Sequence, residues 1–421
     1  MSLKLPAPDD MASPGPESGA PGSAAPEGAG VPDAAGVPDA TAAPASTPAP
    51  APAGAEAAVP GAKVRLRALD GLRLVAALMV CFYHLSFRGS AGWQRSPLHV
   101  FPHLSHVSAY GPLGVQFFFI ISGFVICMSG WGRTVRVFAI SRISRLYPAY
   151  WAALVVVTAV LYFLGERTVS RTDFLTNFTM LQTPAGAERV LGVSWTLWAE
   201  ARFYVLFAVA VLWRGATRKR VLGFCALWTV AALYADSSDQ EFLKVALMPE
   251  YAPFFIGGIG LYMLRRYGHD LLTWGVVASG FLLGQHYAVK GLVAPPGAHA
   301  AFERSATVVI AAVAAGFAGV ALVTLFRPVA DVDWRWLTTA GALTYPFYLV
   351  HEILGTLMIG KLRAHTGLSD YEVLAVTVPA MLLLAYLIHR LVERPLTPLL
   401  RRLLTQQANG LGAARPARES A

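Results

Sequence analysis

ALDGLRLVAALMVCFYHL, residues 68–85, places an acid, an arginine and a histidine in an apolar run whose length suits one crossing of a bilayer. Arg73 and His84 are eleven residues apart, which in a helix is three turns plus about 20°. The two side chains therefore share a face and stand about 16 Å apart along the axis. Asp70 precedes Arg73 by one turn and can pair with it. Spacing alone leaves two readings open. Arg73 is a snorkelling anchor and His84 a hydrogen-bonded packing residue, or both belong to a site inside the membrane.

The surrounding composition favours a membrane setting. Of 421 residues, 55% are hydrophobic and only 14% are Asp, Glu, Lys or Arg, against about 25% in soluble chains. A soluble protein of this size needs more charge than that to cover its surface. Such sparse charge also excludes nucleic acid as a partner, despite a net charge of +9. From residue 61 to about 405, apolar runs alternate with short polar connections. They predict an all-α bundle of about ten spans, near 69–87, 111–130, 148–165, 194–213, 221–235, 250–264, 271–288, 305–326, 336–360 and 371–391. The fifth and sixth are short enough to be tilted or partly interfacial. Residues 406–421 read as a short basic tail.

Residues 1–60 are a different material. They hold 13 of the 28 prolines, no aromatic residue and a tandem AGVPDA at 29–34 and 35–40. Seven acids face one base, Lys4, so this segment carries −6 and the remainder +15. It has no means of building a core and is expected to be a disordered tail. Lys and Arg cluster before the first span (Lys63, Arg65, Arg67), after the second (Arg133, Arg136, Arg142, Arg145), after the fourth (Arg214, Arg218, Lys219, Arg220) and after the sixth (Arg265, Arg266). That asymmetry predicts a multi-pass protein of the cell membrane with both termini cytoplasmic.

Other ionisable groups fall inside the expected spans. Glu200, in SWTLWAEARFYVLF (194–207), should lie about two turns below the outer surface, level with His84. Arg202 is close in sequence but points elsewhere, because residues two apart do not share a helix face. His351 and Glu352, in TYPFYLVHE (344–352), reach the same outer half, with Tyr345 and Tyr348 below. Depth thus predicts that His84, Glu200 and His351 occupy one layer. Arg142 and Arg145 are one turn apart at the cytoplasmic end and read either as positive-inside anchors or as a phosphate clamp. His99, His103 and His106 have a metal-like spacing, but Pro102 interrupts it and no acid or cysteine is near, so a loop is expected and no metal. Cys81, Cys127 and Cys225 each sit in an apolar run as packing residues.

Taken in order, six blocks resemble the acyltransferase-3 family of integral-membrane O-acyltransferases. They are LDGLRLVAALMVCFYHL with its Arg-x10-His pattern, GPLGVQFFFIISGFVI (111–126) with Ser122 in its Ser-Gly-Phe, RISRLYPAYW (142–151), SWTLWAE, TYPFYLVHE and VERP (392–395). Arg202 stands where the family often has a neutral amide, and the chain reads as a stand-alone form without an appended esterase-like domain. The resemblance implies transfer of an acyl group from cytoplasmic acyl-CoA, a co-substrate rather than a cofactor, to a hydroxyl of a sugar, glycan, glycolipid or glycosylated macrolide. It implies His84 as general base, with Glu200 supporting it and Arg73 completing the catalytic set. Arg142 and Arg145 would bind the donor, with Asp70, His351, Tyr345 and Ser122 in support. An acyl-histidine intermediate is the mechanistic rival. A secondary transporter is the alternative function, since transporters also carry buried His, Glu and Arg at mid-depth.

Overall fold

The computed structural model describes residues 66–88, 90–295 and 302–413, in which every regular element is helical. The expected tail at 1–60 lies outside them. The main helices are α1 (Arg67–Tyr83), α2 (Leu113–Gly130), α3 (Val135–Phe163), α4 (Arg171–Phe178), α5 (Trp195–Phe207), α6 (Arg218–Ser237), α7 (Ala252–Tyr267), α8 (Leu271–Leu292), α9 (Ala306–Leu325), α10 (Arg335–His365), α11 (Asp370–Ile388) and α12 (Arg394–Ala413). All ten expected spans coincide with helices. Eight helical stretches among the described residues are long and apolar enough to cross a membrane. Of the ten expected spans, the two that fall outside that group are α6 and α8. The basic start of α6 and the Gln285–His286 and Lys290 positions of α8 dilute their apolar character.

Two boundaries move. The third helix begins at Val135 rather than near 148, so Arg142 and Arg145 stand within it, and Pro148 is interior. Proline has no N–H, which leaves the Ser144 carbonyl without its usual helical partner one turn back. At the other end, helix continues to Ala413, into the segment from 406. Residues 97–108, expected as a loop, contain two short helices, Pro97–Val100 and Leu104–Ser108, on either side of Pro102.

Packing explains the glycines of the second span. A Cβ on Gly123 would strike the Phe255 carbonyl of α7, and one on Gly258 would strike the Ile120 carbonyl of α2. The contact is reciprocal, backbone against backbone, as small residues allow between membrane helices. Gly114 likewise lets α2 close on the Ala76 carbonyl of α1. Two apolar cores result. One gathers α2, α5, α6, α7 and α9 around Phe203, whose ring stacks on Phe255 at 4.3 Å and on Trp228 at 5.7 Å. The other gathers α3, α10 and α11 with one side of α1, including Cys81 and Phe347. Polar side chains collect where α1, α2, α3, α5 and α10 meet.

The connection from α3 to α5 is built, not loose. Asn177, fully buried in α4, donates to the Asp173 and Glu188 carbonyls at 2.8 Å each and accepts from Val190 N–H at 3.1 Å. Tyr150 Oη donates to the Asn177 carbonyl at 2.8 Å. This stitching carries the chain to Gly192, against Glu352 of α10, and into the start of α5.

Candidate active site

At the end of α1 the backbone widens into a π turn, His84–Arg88, a local irregularity frequent at functional sites. His84 Nδ1 lies 3.0 Å from His351 Nε2 of α10, and the ring centroids are 5.2 Å apart. His351 is fully buried, and its Nδ1 is 2.9 Å from the Tyr348 carbonyl and 3.3 Å from that of Phe347. A carbonyl can only accept, so His351 Nδ1 carries the proton and donates. In a neutral ring Nε2 is then an acceptor. His84 must therefore donate from Nδ1, which leaves its Nε2 as a free basic nitrogen. That nitrogen faces the Glu352 carboxylate, with Oε1 at 3.7 Å.

A second group lines a cavity of about 110 Å³ between α1, α2, α3, α5 and α10, a few times the roughly 30 Å³ that one water occupies in the liquid. Arg73, Arg142, Arg145, Ser122, Glu200, Tyr204 and Tyr345 face it. Ser122 Oγ donates to the Glu200 carboxylate in a short hydrogen bond. Tyr204, one turn on from Glu200, interacts with both Glu200 and Arg142. Asp70 Oδ1 is 3.7 Å from Arg73 Nη1, and Gly341 of α10 makes room for Asp70, since a Cβ there would collide with its carboxylate. Tyr345 Oη donates to the Leu146 carbonyl at 3.2 Å, fastening α10 to the arginine turn of α3. Around this cavity three guanidinium groups outnumber two carboxylates. Arg142 Nε is moreover buried without a hydrogen-bond partner. An unmet buried donor is costly, and the excess positive charge suits an anion.

The two groups are neighbours. Tyr348 lines the cavity, its ring centroid is 5.7 Å from that of His351, and its hydroxyl is 3.1 Å from Thr196 Oγ1. The expected layer therefore divides. His84 and His351 do meet, whereas Glu200 pairs with Ser122 on the cavity side of Tyr348. The carboxylate recorded against His84 is that of Glu352. Arg202 points away, over the Trp198 ring at 5.4 Å and onto the Val245 carbonyl. Its helical position, two residues from Glu200, required that. Cys81, Cys127 and Cys225 are free and buried. Among the described residues no three His, Cys, Asp or Glu side chains gather to hold a metal.

The sequence blocks lie on the helices that build this site, and comparison with known families agrees. An acyltransferase-3 profile, described as an acyltransferase domain, matches residues 66–403. The chain belongs to the acyltransferase-3 family. It is an acyltransferase for groups other than aminoacyl groups, which decides between the enzyme and the transporter that the sequence left open. The chain is also similar to acyltransferase MdmB of Streptomyces mycarofaciens, 27% identical over 396 residues that cover 82% of this chain and 95% of that protein. No solved structure matches it.

Proposed function

We propose that this acyltransferase moves a short acyl group, such as acetyl, from cytoplasmic acyl-CoA to a hydroxyl of a sugar-bearing acceptor at the far side of the membrane. The observation that carries the reading is the 3.0 Å contact of His84 Nδ1 with His351 Nε2, which assigns the proton of His84 to Nδ1. His84 Nε2 is then a free base held in place by buried His351, whose ring packs against Tyr348 in the lining of the cationic cavity. In the reaction the acceptor O–H bond breaks and its proton goes to His84 Nε2. The oxygen forms an ester bond to the thioester carbonyl carbon, and the C–S bond breaks. The departing thiolate then takes the proton, releasing CoA as the free thiol.

The donor side is the arginine cavity. Its present volume suits a phosphate or the thioester end of the donor rather than the whole of coenzyme A. Arg142 Nε offers an unmet hydrogen bond, and Arg142, Arg145 and Arg73 together supply the charge that phosphate oxygens require. Asp70 and Tyr345 hold that frame. Glu200 and Ser122, facing the same cavity, position the donor, while His351 is the direct support of His84. The rise of about 16 Å from Arg73 to His84 suits the extended pantetheine arm, which reaches His84 past Tyr348. Base asymmetry in the sequence supports placing the Arg73 end toward the cytoplasm, and an even number of crossings brings both termini to that side.

The test is chemical. Mass spectrometry of glycans, glycolipids and secreted metabolites from a strain deleted for the chain should show one species lighter by a single acyl group. A profile identical to that of the parent strain would refute the acceptor reading.

A further inference from the structure

The mechanism above leaves Glu352 unused, although its carboxylate faces the reacting nitrogen. Oε1 is 3.7 Å from His84 Nε2. Oε2 is buried and makes no hydrogen bond, although the Val193 N–H also faces the carboxylate. On its far side the group is fixed by Gly192, where a Cβ would collide with the carboxylate, so the stitched α3–α5 connection closes directly on it. Arg88 and Arg189 are cations that act on it from the π turn and from that same connection. A buried oxygen with an unmet lone pair is costly unless something donates to it, and Oε1 is the carboxylate oxygen that shares its approach with His84 Nε2.

We propose that Glu352 forms the acceptor subsite by receiving a second hydroxyl, adjacent to the one that reacts, so that the acceptor class is a vicinal diol. This rests on the reading of His84 as the base. An ionised carboxylate only accepts hydrogen bonds, and so does the free Nε2. A single hydroxyl has one proton and cannot satisfy both. Two hydroxyls on adjacent carbons can, because gauche oxygens stand about a hydrogen-bond length apart, comparable with the gap between Nε2 and Oε1. The reacting hydroxyl gives its proton to His84 Nε2 and gains the acyl carbon as the C–S bond breaks. Its neighbour keeps its proton and donates it to Glu352. A site built to hydrogen-bond a substrate hydroxyl discriminates strongly against the analogue lacking it.

The experiment uses membranes containing the full chain, labelled acetyl-CoA, and either trans-cyclohexane-1,2-diol or cyclohexanol as the added acceptor. The diol should be acylated about ten- to hundred-fold faster, the range expected of a hydrogen bond to a charged group. Glu352→Ala and Glu352→Gln should both shrink the diol-to-cyclohexanol ratio, the alanine variant toward unity. Glu352→Gln preserves shape, so it still reports if the alanine variant does not insert. A ratio unchanged in both variants would mean that Glu352 acts on His84 rather than on the acceptor, and would overturn the proposal. Equal use of the two alcohols, or of neither, overturns it as well. CoA release with the endogenous acceptors of the same membranes reports separately on the acyltransferase mechanism, which can stand while the diol subsite falls.

Discussion

Replacing His351 by alanine removes the acceptor that fixes the His84 tautomer, and the structure allows the consequence to be worked out. In the resting enzyme the 3.0 Å contact between His84 Nδ1 and His351 Nε2 joins two neutral rings, a bond of about 1 kcal/mol net. When His84 takes the acceptor proton the same bond becomes charge-assisted, at about 1.5–3 kcal/mol. Only the difference acts on the chemical step, about 1 kcal/mol, or roughly five- to ten-fold in rate. Loss of tautomer control adds to this. Without His351 the Val80 carbonyl is the acceptor left to the His84 ring N–H, so the tautomer is held less firmly, and a ring protonated on Nε2 presents no base. The sum should fall between about ten-fold and the 10²–10⁴-fold typical of losing a general base. His351→Gln offers a carbonyl oxygen to the same Nδ1–H and should recover part of the rate. The assay is single-turnover transfer from labelled acyl-CoA in membranes containing each variant, with donor titration alongside. The rate should rank wild type, then His351→Gln, then His351→Ala, at a donor affinity within about two-fold, because His351 is not among the residues lining the arginine cavity. A wild-type rate in His351→Ala, or a change confined to donor affinity, would refute the tautomer argument.

Three further outcomes follow from the geometry. Arg142→Ala and Arg145→Ala should each weaken acyl-CoA binding about ten- to hundred-fold, with Lys restoring only part, since a phosphate clamp needs the planar guanidinium fork. Equal donor affinity in wild type, Arg142→Lys and Arg145→Lys would instead favour simple anchoring. Gly123→Ala should lower thermal stability in detergent by the equivalent of about 1–3 kcal/mol, because its methyl meets the Phe255 backbone. Gly275→Ala, where nothing lies within 4 Å, should be neutral or stabilising by about 0.5–1 kcal/mol.

What could be read from the sequence is what helical arithmetic determines. The ten apolar runs, the shared face of Arg73 and His84 and the divergence of Arg202 from Glu200 all follow from rise and twist within one helix. Contacts between helices do not. Counting residues from a span's end gives depth, one coordinate of three. It put His84, Glu200 and His351 at one level without saying which way each faces. Glu200 turns toward Ser122 and Tyr204, and the carboxylate that reaches His84 comes from Glu352, next to His351 in the chain. Adjacent residues on a helix point about 100° apart, so Glu352 and His351 do not read as partners. The Pro97–Val100 and Leu104–Ser108 turns were obscured by Pro102, which ends one short helix without preventing the next.

His84 carries the central claim, and one measurement addresses it most directly. Membranes containing wild type or His84→Ala, matched for inserted protein, are given labelled acetyl-CoA and their endogenous acceptors, and transferred label is counted together with acyl-CoA bound. The account predicts that His84→Ala binds the donor like wild type, since Arg73, Arg142 and Arg145 are untouched, while transfer falls about 10²–10⁴-fold. Near-normal transfer in His84→Ala would contradict it.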